Sequence, residues 1–328
     1  MADISKIIVL DGTAYDLKDA EARESLSGLP IKAGTGTGAV VIGKEAASLA
    51  AGDYAVFEGL KSYSRDSETY GGTSYEYGAT GYASHAEGDV AIAFGDYSHA
   101  EGLNAKALAT SAHAEGSASV ASGNTSHAEG SATVASGSIS HAEGYNTKAT
   151  GSYSHAEGNN TKATGDYSHA EGYGATASGG YTHAEGRSTT ANNTCSHAEG
   201  YNTKASGGYS HAEGYGTTAS GSRSHAEGYG TIAKHAYQHV FGQHNISDSS
   251  TAGATSRGNY VEIVGNGTAD DARSNARTLD WSGNEILAGN LMVAGGSLTL
   301  GTGVNAVTIT ATQLQILLNI VSATGVSF

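Results

Sequence analysis

The stretch His141-Ala142-Glu143-Gly144-Tyr145-Asn146-Thr147-Lys148-Ala149-Thr150-Gly151-Ser152-Tyr153-Ser154 decides the fold, because His155-Ala156-Glu157-Gly158 begins the same word again. Outward from it, histidines recur every 14 residues, at 85, 99, 113, 127, 141, 155, 169, 183, 197, 211, 225 and 239. Eleven of these units open with His-Ala-Glu-Gly. The twelfth, His239-Val240-Phe241-Gly242, has the altered form expected of a unit that closes a stack.

Within each unit the sixth residue after the histidine is Ala, Ser or Thr, the eighth is Ala, and the tenth is usually Gly. Small residues two apart share one face of a strand, and glycine supplies the positive φ of tight turns, so each unit reads as strand, turn, strand, turn. One unit is one coil of a β-roll. A coil this narrow has room only for small side chains. Its interior should hold the Ser or Thr before each His, the Ala after it, and Ala93, Ala107, Ala121, Ala135, Ala149, Ala163, Ala177, Ala191, Ala205, Ala219 and Ala233.

The outward face then carries His85 and Glu87, His99 and Glu101, His113 and Glu115, His127 and Glu129, His141 and Glu143, His155 and Glu157, His169 and Glu171, His183 and Glu185, His197 and Glu199, His211 and Glu213, and His225 and Glu227. The reverse assignment would bury these charges in a thin roll at a cost of several kcal/mol for each unpaired one. Ordering a coil costs on the order of 14 to 28 kcal/mol, against ~0.8 kcal/mol for each buried methyl-sized group. A lone roll is marginal on that count, and the His-x-Glu face is expected to pack against other copies in a homotrimer.

Composition excludes several other classes. The chain has 48 Gly but a single proline, Pro30, which rules out a collagen triplet, and only 4 Phe, 1 Trp and 2 Met for a globular core. With 17 basic against 32 acidic residues, the net charge of -15 opposes contact with nucleic acid. Cys195 is the only cysteine, so no intrachain disulfide forms. The opening MADISKIIVL has neither a cationic leader nor an apolar run of signal length, and no stretch reaches the ~20 apolar residues of a membrane span. Neither membrane insertion nor export by a signal peptide is expected.

Four regions follow. Residues 1–30 read as an attachment segment, a hairpin about Asp11-Gly12 and then a short charged helix. Residues 31–84 carry coil-like words at irregular spacing, such as Tyr54-Ala55-Val56-Phe57-Glu58-Gly59 and Ser74-Tyr75-Glu76-Tyr77-Gly78, and should start the roll. Residues 85–242 are the regular roll, and 243–328 a small β-rich capping or tip domain. Its strand-like runs are Tyr260 to Val264, Glu285 to Ala288, Leu291 to Val293 and Val307 to Thr310, before a terminal helix with Leu314, Leu317, Leu318 and Val321 on one stripe.

The Ser-His-Ala-Glu-Gly word resembles the Ser-x-Ala-x-Gly repeats in the heads of trimeric autotransporter adhesins. That resemblance implies an all-β fold, a left-handed parallel β-roll assembled as a homotrimer. Ala39-Val40-Val41-Ile42-Gly43 strengthens it, with Val and Ile where later units have His and Glu. The flanks resemble other proteins. Met1 to Leu26 is similar to the N-terminal segment of structural proteins from tailed phages of Gram-positive hosts. His239-Val240-Phe241-Gly242, Ile263-Val264-Gly265-Asn266-Gly267 and Ala276-Arg277-Thr278-Leu279-Asp280-Trp281 resemble the C-terminal region of phage tail appendages.

These resemblances imply a virion tail fibre or appendage made in the host cytoplasm. Its N-terminus would meet tail or baseplate proteins, and its far end a host-surface receptor, with a glycan among the candidates. A bacterial surface adhesin and a glycan-degrading tailspike are the alternatives. Some relatives of the phage region cleave themselves, for which Ser247-Asp248 is the one Ser-Asp bond after the closing unit; no cleavage is expected.

A histidine two residues from a carboxylate also suits acid-base catalysis or a metal. Eleven near-identical pairs cannot supply the one tuned pocket that an active site needs, so no enzyme or cofactor is expected, and since no motif has the spacing of a dedicated metal site, no metal is expected either. Each His is instead expected to donate to a Glu of its own or a neighbouring chain, which would raise histidine and lower glutamate pKa values. Ten tyrosines, either two before the histidine (Tyr97, Tyr153, Tyr167, Tyr181, Tyr209) or four after it (Tyr145, Tyr173, Tyr201, Tyr215, Tyr229), form rows suited to packing or, less commonly, to sugars.

Overall fold

The computed structural model describes residues 6–8, 14–16, 31–42, 51–60, 67–70, 72–289, 297–300 and 307–310, and every regular element among them is a β-strand. Each repeat supplies a five-residue strand that starts at the histidine and a two-residue strand that ends at the eighth-position alanine, as in His141–Tyr145 and Lys148–Ala149. Like pairs with like, in parallel and in register: His141 lies beside His127 and His155, and Ala149 beside Ala135 and Ala163. The fold is a parallel β-solenoid.

The interior is as narrow as the period requires. The residue before each histidine, the alanine after it, and the sixth and eighth residues are all buried, none of them more than 3% exposed. The residue before the histidine does more than fill space. Ser84, Ser140, Ser154, Ser168, Thr182, Ser196, Ser210 and Ser224 each donate a hydroxyl hydrogen bond to the carbonyl three residues back, at 2.6–2.8 Å. This bond closes the turn that leads into the long strand, and explains a hydroxyl where Ala112 shows that a methyl also fits.

The glycines work differently from expectation. The turns are made largely by other residues in the left-handed region, two before the histidine (Tyr153, φ 58°) and five after it (Asn160, φ 57°). Such a residue costs on the order of 1 to 2 kcal/mol. Its N–H is turned onto the preceding coil, Tyr153 N–H onto Ser138 O and Asn160 N–H onto Tyr145 O, both at 2.9 Å. The tenth-position glycines have no positive φ; a Cβ at Gly151 would strike the carbonyl of Gly165 in the next coil. Only the glycine of His-Ala-Glu-Gly answers both demands, as at Gly158, with φ 105° and a carbonyl of the next coil in the way of any Cβ.

The roll begins before the regular repeat. Val40 pairs with Val56 and Val56 with His85, while Ile42 pairs with Glu58 and Glu58 with Glu87, so the two earlier words stand in register. Ile31–Ala33 folds back antiparallel on Val40–Ile42. The word at Ser74 is not a coil of the long sheet: Thr73–Glu76 pairs antiparallel with Ser67–Tyr70 in an inserted hairpin, and only Gly78–Ala79 joins the short sheet. Large side chains fill the core at the two ends, Val41, Phe57 and Ile92 at the start and Val240 and Ile263 at the finish.

The ladder continues one coil past Gly242. Tyr260–Asn266 lies parallel on His239–Gln243, with Glu262 beside His239 and Val264 beside Phe241. Asn275–Asp280 and Glu285–Leu287 then extend this sheet antiparallel. Lys6–Ile8 pairs with Ala14–Asp16, and Ser297–Leu300 with Val307–Thr310, both antiparallel. The Asp11-Gly12 turn, the charged helix after it, the run Leu291 to Val293 and the terminal helix lie outside the described residues.

Candidate functional site

The repeated surface is the candidate site, and its geometry follows from strand alternation. Because the alanine between them points inward, the histidine and glutamate of each coil share the outer face of the long strand. From His85 to His239 the imidazoles form one stack, with ring centroids 4.6–4.9 Å apart and planes within 14° of parallel. The glutamates run beside them.

The expected hydrogen bond inside each pair is absent. From His113 to His197, Nε2 stands 3.6–3.8 Å from Oε2 of its own coil's glutamate, beyond hydrogen-bonding distance. At the far end the carboxylate turns to the next coil, Glu213 to His225 and Glu227 to His239, both at 3.6 Å. All twelve Nε2 atoms are shielded from solvent and have no hydrogen-bond partner, although the side chains around them are only half-buried.

The titration behaviour is the reverse of expectation for the same reason. Burial, followed by the neighbouring imidazoles, holds His99, His113, His127, His155, His169, His197 and His239 below the ordinary histidine pKa, and the carboxylates offset this only in part. Glu171 is raised, first by burial and then by Glu157 and Glu185 on either side. In-register pairing sets each charge against its own kind along the stack, and this repulsion adds to the cost of burial, which the carboxylates beside the imidazoles do not make up.

The tyrosine rows stack too. Tyr153, Tyr167 and Tyr181 lie ring on ring at 4.7–4.9 Å, and Tyr201, Tyr215 and Tyr229 at 4.7 Å. Each inner ring has both faces covered by its neighbours, so only edges are offered to a sugar. Arg187 sits between Tyr173 and Tyr201, and a second row, Tyr209, Arg223, Tyr237, Arg257 and Trp281, alternates ring and guanidinium with centroid distances of 4.3–5.9 Å. That row runs off the roll onto the closing sheet. Trp281 also donates its Nε1–H to Gly258 O at 3.0 Å.

Sequence reasoning missed the residues that close the roll. Asn245, fully buried, accepts the Ile232 N–H at 2.7 Å and donates to the Ile232 carbonyl at 3.1 Å, so one side-chain amide replaces the strand that would continue the short sheet. The buried carboxylate of Asp248 accepts the N–H groups of Ser250, Asn259 and Tyr260 and the amide of Gln238, at 2.7–3.2 Å. One signal was visible: Gln238 stands where the other coils have Ser, Thr or, once, Ala, and His235 where most have Gly.

No family model matches this chain, and no curated protein matches it either. Among the described residues no helix is long and apolar enough to cross a membrane.

Proposed function

We propose that the chain is a structural protein of a tailed phage, a rigid homotrimeric spacer in a tail fibre or appendage, and not an enzyme. The observation that supports this best is the unbroken in-register ladder: every coil repeats the last, which adds length without adding a new shaped surface. Three left-handed rolls packed about one axis would cover faces that a single chain leaves open, including rows of half-exposed tyrosines. The N-terminal segment attaches to tail or baseplate proteins, and the part beyond the roll faces the host receptor.

The test combines mass measurement of the purified chain with labelled antibodies against residues 6–16 and 243–289 on phage particles. The expected results are three chains per assembly, rods under the electron microscope, and the second label farther from the particle than the first. A monomer in solution, or no label on particles, would overturn the proposal.

A further inference from the structure

The histidine and glutamate ladder has the donor set of a metal site repeated along its length. The geometry points to a linear array of divalent transition-metal sites, each made by two successive histidines and the glutamate between them, as in His155, Glu157 and His169, and selective for zinc-class ions. This goes beyond the spacer reading and does not depend on how many chains assemble.

Three observations carry it. The first is the unused donors, a row of Nε2 atoms out of contact with solvent and without partners. An imidazole nitrogen in that position has lost water and gained nothing in exchange, a cost that a bound ion would remove.

The second is spacing. Ligand atoms ~2.1 Å from a tetrahedral ion lie about 3.4 Å from one another. Most of the pairs place Nε2 and the carboxylate oxygen of one coil 3.6–3.8 Å apart, and Glu213 and Glu227 reach the following histidine at 3.6 Å. A glutamate can therefore turn to either of the two histidines that flank it. In the group His155, Glu157 and His169 the carboxylate stands 3.7 Å from His155, and all three ligand atoms lie within 4.8 Å of one another. A tilt of the two rings toward each other closes the group. Each ring then serves one ion, so ions fill alternate gaps, and mutual repulsion favours the same spacing.

The third is electrostatic. The glutamates lie in register beside one another, as Glu157, Glu171 and Glu185 do, in a chain of net charge -15, and a cation between them relieves their repulsion. At neutral pH an imidazole with the ordinary pKa near ~6.5 is mostly unprotonated, with a lone pair free. Two neutral imidazoles and one carboxylate suit zinc, and leave a fourth position for water. Magnesium and calcium prefer oxygen-only shells.

The full-length protein, in its own assembly, is dialysed against zinc chloride or magnesium chloride at neutral pH and at about pH 5, below the ordinary imidazole pKa. Bound metal is then counted by mass spectrometry. The expected result is saturable uptake of about six zinc ions per chain at neutral pH, lost in acid, with little magnesium. Replacing His155, His169 and His183 together by Gln should lower zinc uptake by about a third. X-ray absorption at the zinc edge of the unmodified protein supplies a readout that needs no variant, and should show two imidazoles per ion. An all-oxygen shell, equal uptake of magnesium, no zinc uptake, or a folded triple variant with undiminished uptake would each overturn the proposal.

Discussion

The repeated coils and the closing end are built on the same ladder but held by opposite rules. In the repeat the invariant residues meet their own kind: His on His, Ala on Ala, Glu beside Glu. At the end unlike residues meet: Asn245 with the backbone of Ile232, Asp248 with Gln238 and three backbone amides, and Arg257 with Trp281. Asp270 lies between His244 and Arg273, and Arg273 donates to the Gly230 carbonyl. Translation makes a structure that can continue indefinitely, and the chemistry that stops it must differ from the chemistry that extends it. An open strand edge invites another chain to pair, so stopping has to be built in.

The largest expected effect breaks the repeat itself. Removing residues 141–154 deletes one whole coil and should leave a shorter, cooperatively melting protein. Removing 141–153 shifts later residues by one position and turns the buried alanines of the following coils outward. Circular dichroism and protease resistance should separate the two deletions completely, and equal folding yields would show that the coil period is wrong.

A smaller effect is expected at the closing end. Asn245→Ala leaves the Ile232 N–H and carbonyl buried and unpaired, a loss of about 1 to 3 kcal/mol per unsatisfied group. Asn146→Ala removes an exposed side-chain contact with Asn160 at a left-handed position where Ala118 and Ala132 already stand in other coils, and should cost less than ~1 kcal/mol. Urea titration of both variants measures the difference. A loss no greater for Asn245→Ala than for Asn146→Ala would mean that the roll is not closed where the structure closes it.

The smallest effect, spread over many coils, is a pH dependence. Histidines whose folded pKa lies below the unfolded value near ~6.5 contribute stability that is complete above that value and is lost as pH falls toward the folded one. Glu171, raised, acts with the opposite sign: its carboxylate costs stability once the pH exceeds its folded pKa, and acid relieves that cost. The midpoint of thermal unfolding should be level from mildly alkaline to neutral pH and fall on mild acidification into the histidine range. A midpoint that rises over that interval would restore the hydrogen-bonded pairing that the distances exclude.

The period made the coil readable in advance, because a 14-residue repeat with small residues at fixed places admits few packings. The register of Val40 and Ile42 with His85 and Glu87 was equally plain, since strand alternation carries over from one coil to the next. The tenth-position glycines were misread because a sequence shows that a side chain is missing and not why; at Gly151 the reason is the neighbouring coil. Pairing His with Glu looked natural along one strand, but the sheet decides neighbours across strands, and there the histidine meets histidine. Asn245 lies in an aperiodic loop, where nothing in its spacing points back to Ile232.

The strict equivalence of neighbouring coils also reaches into heredity. Near-identical words in tandem are prone to misalign when their genes recombine, and an exchange that is one whole word out of step adds or removes one coil while leaving the inward face, the first strands and the closing loop intact. Most insertions in a folded protein are judged against a core they disturb; here a gain of one word meets a surface already shaped to receive it. The length of this rod is therefore a trait that selection can adjust in even steps, independently of what stands at either end.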